Sequence, residues 1–267
     1  MNTEKNNSLE NLTVIELCSG IGAQMKGINN THLFNANMIA TADLDKEVVV
    51  SYAAIHCGLT TDMIENYADY PSKEMMVKEL TDKRLGYDFK KDKPYDWQKL
   101  SRRKDKTKGI EKYWLADYLS HNLGDMMQIE SLPYSDLLTY STPCTDLSIA
   151  GKQEGLKWTC QDCECEYNPS ELDVDTRYTC PNCGGHNIKS TRSGLLYEVE
   201  RLLVTAKENN TLPKYLLMEN VDALISKKYI DSFKDWIARL DNLGYNSYYQ
   251  TINAKNTGIP QNRNRIF

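Results

Sequence analysis

The sequence predicts an α/β fold, a doubly wound sheet interrupted by a four-cysteine zinc ribbon. Three observations carry that reading. Short apolar runs at 14–18 and 37–42 alternate with helical spacing at 23–28 and 46–57. The turn Ser19-Gly20-Ile21-Gly22 follows the first run, at the strand end where open α/β sheets take up ligands. The pairs Cys160-x-x-Cys163 and Cys180-x-x-Cys183 stand sixteen residues apart, within the spacing of a four-thiolate zinc site.

Each element follows from local chemistry. Asp45 precedes the 46–57 helix as an N-cap. Residues 60–120 break the alternation, being rich in Lys, Asp and Tyr, and read as an insertion with helix at 72–80 and 110–119. The rhythm resumes with a strand at 136–140 that ends at Thr142-Pro143-Cys144. A helix is expected at 193–209 on Leu195, Leu196, Val199, Leu202 and Leu203. A strand follows at 215–218 and enters Glu219-Asn220-Val221. A helix at 226–242 rests on Ile230, Phe233, Trp236, Ile237 and Leu240 and is closed by Gly244. Further strands are expected at 245–252 and from Arg265 onward.

Composition bounds the class. Of 267 residues, 40% are hydrophobic, enough for a real core. No apolar run approaches a membrane span, and the polar N-terminus lacks a secretory signal, so the expected compartment is the cytoplasm with no membrane partner. The net charge is −5, but residues 83–112 carry twelve Lys/Arg against five Asp/Glu. Such a basic segment on an acidic body is either a solvated, poorly packed insertion or a contact for a phosphate backbone. Five of the eight cysteines fall between 160 and 183, which points to metal rather than to a secreted disulfide framework. Four thiolates close the shell, so the zinc is expected to be structural, with Cys165 and His186 as spare ligands.

Cys144 is a candidate nucleophile because Pro143-Cys144 directly follows a strand, on the face where a cofactor is expected. A cysteine attacks as thiolate, and the helix that would begin beyond it offers N–H groups that favour the anion.

At this point the sequence resembles the cytosine-5 DNA methyltransferases, through several motifs in order. Glu16-Leu17-Cys18-Ser19-Gly20-Ile21-Gly22-Ala23 is similar to the family's cofactor-binding motif, Asp43-Leu44-Asp45 to its second and Gly124-Asp125 to its third. Thr142-Pro143-Cys144 with Ser148-Ile149-Ala150-Gly151-Lys152-Gln153 resembles the catalytic Pro-Cys motif and its loop, and Arg192-Ser193-Gly194-Leu195-Leu196 with Glu198 the helix that follows. Glu219-Asn220-Val221 matches the Glu-Asn-Val motif. Asn253-Ala254 and Gly258-Ile259-Pro260-Gln261-Asn262-Arg263-Asn264-Arg265 resemble the Gln-x-Arg-x-Arg region.

The resemblance implies a Rossmann-like, S-adenosylmethionine-dependent catalytic domain over 1–267, interrupted by the basic insertion 60–120 and the zinc ribbon 157–191. It implies that Cys18, Ser19, Gly20, Gly22, Asp43, Leu44, Asp125 and Pro143 bind the cofactor. Asp43 would take the ribose hydroxyls and Asp125 the adenine amino group. It implies that Cys144 attacks C6 of a cytosine flipped from double-stranded DNA. Glu219 would hydrogen-bond N3 and Arg265 the O2 edge, with Arg263 near the cysteine and the target phosphate.

Some positions depart from the pattern. Cys18 and Leu44 stand where many relatives carry aromatic residues, and Thr145 stands where Gln is usual. Relatives continue past the Gln-x-Arg-x-Arg motif with a target recognition region and a returning helix. A second polypeptide supplying those parts is therefore an expected partner. The same motifs also suit a tRNA cytosine-5 methyltransferase, or an inactive half acting as a nucleic-acid or partner-binding module.

Overall fold

A computed structural model describes residues 9–88, 91, 93–143, 157–189 and 194–267. The chain divides into two compact units, Met1–Ile129 with Ser135–Thr139, and Glu130–Tyr134 with Tyr140–Phe267. No helix among the described residues is long and apolar enough to cross a membrane.

In the first unit, β1 (Glu10–Leu17) buries Val14, Ile15, Glu16 and Leu17 in succession, the mark of a strand covered on both faces. After α1 (Ala23–Asn30), β2 (Phe34–Ala42) pairs with it in parallel, from Glu10 opposite Phe34 to Leu17 opposite Ala42. The next helix, α2 (Lys46–His56), starts where expected: the Asp45 carboxylate accepts the N–H groups of Glu47 and Val48. On the other side of β1 lies β3 (Leu137–Tyr140), giving the order β2-β1-β3. Thr13 donates its N–H and hydroxyl to Asp136 at 2.9 and 2.6 Å and so fixes the start of β3. The chain thus reverses direction across the sheet at β1, and the carboxyl end of that strand is where such a sheet opens a crevice.

Residues 60–120 correct the expectation of a solvated, poorly packed insertion. They form α3 (Thr61–Asn66), α4 (Lys73–Asp82), α5 (Trp97–Ser101) and α6 (Ile110–Leu119). Ile64, Met76, Leu80, Trp97, Leu100, Ile110 and Leu115 join Val49 and Ala53 of α2 in one buried cluster. The polar groups bond back onto the same bundle. Lys73 Nζ donates to the carbonyls of Ser101 and Arg103, and Trp114 Nε1 donates to Glu79. Charge counting missed this because α3, α4 and α5 each bury only one or two apolar residues, although α6 buries five.

The second unit begins with the last residue of β3, whose Tyr140 carbonyl accepts the Glu219 N–H at 3.0 Å. Three short antiparallel strands follow: β4 (Trp158–Cys160), β5 (Glu166–Tyr167) and β6 (Ile188–Lys189), ordered β5-β4-β6. The amphipathic α7 (Leu195–Glu208) leads to β7 (Tyr215–Met218). Next comes α8 (Ile230–Leu243), which buries Phe233, Trp236 and Leu240 and ends on Gly244 with φ 105°, a left-handed cap suited to glycine. The strand expected at 245–252 is confined to β8 (Thr251–Asn253), which pairs antiparallel with β9 (Asn264–Ile266). The residues before β8 form no strand, and Tyr248 there is 90% exposed.

Candidate active site

The cofactor candidates of the first unit sit on the turn after β1. Gly20 and Gly22 hold left-handed φ values of 54° and 78°. A Cβ on Gly22 would run into the rings of His56 and Tyr52 on α2. Gly22 also precedes α1 without a side chain to cap it. The cap comes from elsewhere: buried Glu16 accepts the Met25 N–H at 3.1 Å and the Tyr52 hydroxyl. Burial pushes the Glu16 carboxyl up, against those two hydrogen bonds. Gly22→Ala meets both a disfavoured left-handed backbone and two packed rings, so a stability loss of about 2 kcal/mol or more is expected in urea denaturation. A loss below about 0.5 kcal/mol would contradict this turn.

Gly20 has nothing within 4 Å of where a Cβ would sit, so the turn faces open space. Its N–H donates to Asp43 Oδ2 at 2.9 Å, and the Asp45 N–H donates to Oδ1 at 2.9 Å. The carboxylate is thereby aimed, with Leu44 as a further backbone partner, and its four acceptor sites exceed these donors, which suits a ribose hydroxyl. Burial pushes the Asp43 carboxyl up from its ordinary value. Asn122, which sequence reasoning missed, grips the Asp43 backbone: Oδ1 accepts its N–H at 2.9 Å and Nδ2 donates to its carbonyl at 3.2 Å. A lone Asn in a loop carries no pattern that would have flagged it.

Asp125 is almost wholly buried. Its carboxylate accepts the Met127 N–H at 3.0 Å and Arg84 Nη1 at 2.8 Å. Burial, with the Asp43 and Asp125 carboxylates, pushes the Cys18 thiol up to about 12, so it packs as a neutral group. An open glycine turn, a fixed carboxylate beside it and a buried acid fit the cofactor that the motifs imply.

In the second unit, the motif residues after β7 and on β9 converge. Arg265 Nε pairs with Glu219 Oε1 at 2.8 Å, both side chains partly exposed. Asn220 and Ile266 exchange both backbone hydrogen bonds, at 3.0 and 2.9 Å. Asn220 Nδ2 also donates to the Thr142 hydroxyl and carbonyl at 3.2 and 3.3 Å. The Glu-Asn-Val motif thus ties the Gln-x-Arg-x-Arg strand to Thr142-Pro143. Arg263 is exposed on the turn before β9, where its carbonyl accepts the Ala254 N–H. Cys144, with the loop residues 148–153, Arg192 and Ser193, lies outside the described residues.

The cysteine knuckles come together. The Sγ atoms of Cys160, Cys163, Cys180 and Cys183 all lie within 4.8 Å of one another. The pairs 160–183 and 163–180 are 3.6 Å apart, too far for disulfides and close to the ~3.8 Å edge of a zinc–thiolate tetrahedron. The donor set fits zinc, and the fourfold cluster contains Cys163 rather than Cys165. Asn182 donates to Cys163 Sγ, and that hydrogen bond leads in holding the thiol down to about 6, toward the thiolate a metal requires.

A family model described as C-5 cytosine-specific DNA methylase matches residues 100–163 and 183–267. The chain belongs to this methylase family. The match omits 164–182, the stretch between Cys163 and Cys183 of this methylase. It is 34% identical to the orphan methyltransferase M.SssI of Spiroplasma monobiae over 98% of this chain and 59% of that protein. It is 30% identical to the type II methyltransferase M2.ScrFI of Lactococcus lactis subsp. cremoris over 96% of this chain and 60% of that protein. The methylase chain therefore spans about six-tenths of the length of these curated relatives. Among solved structures, S. pombe Dnmt2 methyltransferase covers 96% of it at 17% identity and a TM-score of 0.44, with 47% of that structure covered.

Proposed function

We propose that the protein transfers a methyl group to C5 of a cytosine flipped out of double-stranded DNA, in the cytoplasm. The pairing of Glu219 with Arg265, beside an Asn220 that holds Thr142, carries the reading. Cys18, Ser19, Gly20, Gly22, Asp43, Leu44, Asp125 and Pro143 would hold S-adenosylmethionine, which supplies an electrophilic methyl group when bound. Zinc would stay on Cys160, Cys163, Cys180 and Cys183 as a structural ion. The catalytic domain would run over 1–267, with 60–120 and 157–191 as its additions.

The chain's own residues then divide the chemistry. The Cys144 thiolate adds to C6, and the C5–C6 π electrons become available at C5 for the new bond. Glu219 bonds N3, where charge develops during that addition. Arg265 fixes Glu219 through the planar guanidinium and offers its remaining donors to the O2 edge. Arg263, which is exposed, would meet the target phosphate. Loss of the C5 proton to a base restores the C5–C6 double bond as the Cys144 sulfur leaves. The DNA target, and a second polypeptide supplying target recognition, belong to the same proposal.

DNA carrying 5-fluorocytosine tests it, because fluorine at C5 blocks the proton loss that frees the cysteine. Incubation with the full chain and S-adenosylmethionine is expected to leave a covalent adduct at Cys144, seen by peptide mass spectrometry. Methyl transfer that survives Cys144→Ala would remove the nucleophile from the scheme.

A further inference from the structure

We infer that residues 83–87, from the lysine-rich segment, build one wall of the cofactor pocket: Arg84 aligns Asp125, and the Tyr87 ring stacked on that guanidinium is the surface on which the adenine base lies. This deepens the cofactor reading above and rests on it.

The segment is docked at three points. The Lys83 carbonyl accepts the Asp125 N–H at 3.0 Å. The Gly86 N–H donates to the Leu44 carbonyl at 2.7 Å, one residue after the ribose acid. Arg84 Nη1 pairs with Asp125 Oδ2 at 2.8 Å. Both glycines at this junction are needed as glycine. Gly124 holds φ 79°, and a Cβ there would strike the Lys83 backbone. Gly86 holds φ 74° and packs under Tyr95.

Arg84 itself adopts φ 55°, a left-handed backbone that a non-glycine residue keeps only where its surroundings hold it. The effect is to aim a planar, two-pronged cation at a buried carboxylate, a geometry lysine does not provide. With Arg84 on one oxygen and the Met127 N–H on the other, Asp125 is oriented rather than free to turn.

A purine needs a flat apolar face as well as an acceptor for its amino group. Cys18 and Leu44 bring no ring to this turn. Tyr87 does: its ring lies 4.0 Å from the Arg84 guanidinium carbon, and the residue is only half-buried. The cation fixes the ring on one side, and stacking between a base and an aromatic side chain is sequence-tolerant and strong.

Calorimetric titration of the full chain with S-adenosylhomocysteine, and with its hypoxanthine counterpart S-inosylhomocysteine, separates the roles. Tyr87→Ala is expected to weaken both ligands by a common factor of roughly 10, with Tyr87→Phe near the unaltered chain. Arg84→Met is expected to narrow the preference for adenine over hypoxanthine, because a swinging Asp125 no longer reads the amino group. A purely structural role would not move that ratio. If the alanine variant melts early, Tyr87→Leu, which keeps bulk without a ring, gives the same reading. Asp43→Asn is the reference for the site. If it weakens binding while the Tyr87 and Arg84 variants bind and discriminate normally, this wall is wrong and the cofactor site stands. If the unaltered chain binds neither ligand, the cofactor reading falls, and this inference with it.

Discussion

Arg265→Leu is expected to slow single-turnover methyl transfer by roughly 10²–10³-fold while leaving folding intact. Both partners of the Arg265–Glu219 pair are partly exposed, so losing it should cost about 1 kcal/mol or less of stability. Catalysis is different, because the pair fixes where the Glu219 carboxyl points. Arg265 Nη1 also donates to the Asn264 carbonyl at 2.6 Å. Its neighbour Ile266 exchanges both backbone hydrogen bonds with Asn220. The guanidinium is thus held by its own strand while it holds the acid. Arg265→Lys should not restore the rate, since a point cation lacks the fork. Glu219→Gln should cost a similar factor. Because the two side chains act as one unit, the double variant should be little worse than either single one. Multiplying losses in a double-mutant cycle of rapid-quench rates would show that the two act separately.

These pairings explain which parts were legible in the sequence. The Gly20 turn and the Asp45 cap could be read locally, because each is decided by a few neighbouring residues. Convergence of Glu219 with Arg265 came from motif order, since nothing in the spacing of two charges far apart fixes a distance. Arg84 was hidden for a physical reason. It is one of twelve cations in a run that reads as solvated, and only the fold reveals that it reaches the buried Asp125 across forty-one positions, as its neighbour Lys83 reaches the buried Asp117. Residues 60–120 misled in the same way. The buried apolar residues of α3, α4 and α5 number one or two per helix, and they become a core only when they assemble with α6 on α2. The 245–252 segment misled in the opposite sense, since it reads as a strand while Tyr248 and Tyr249 stay exposed and only its last residues pair.

Stripping zinc is expected to produce the largest stability loss. The ribbon's strands are two or three residues long, far below what sustains a sheet unaided, so a bound zinc is expected to supply the order. Structural zinc sites of this kind bind with apparent free energies on the order of 10 kcal/mol. The ribbon is also joined to the rest of its unit. Trp158 is 1% exposed and meets Tyr178 and Tyr197 at centroid distances of 5.3 and 6.1 Å. Tyr178 donates its hydroxyl to Glu198, and fully buried Arg177 pairs with Glu200 at 2.7 Å. Val221, next to Asn220, belongs to the same cluster as Trp158 and Tyr197. Losing the metal should therefore loosen α7 and the Glu-Asn-Val turn together, because a buried arginine left without its frame is costly. A tight chelator is expected to release one zinc per chain, shift tryptophan emission to the red, and lower the melting temperature by roughly 10 °C or more. Cys163→Ser should do the same without a chelator, whereas Cys165→Ser should not, since its sulfur stands outside the fourfold cluster. A chain that holds no zinc, or that melts unchanged after losing it, would mean that packing alone sustains the ribbon.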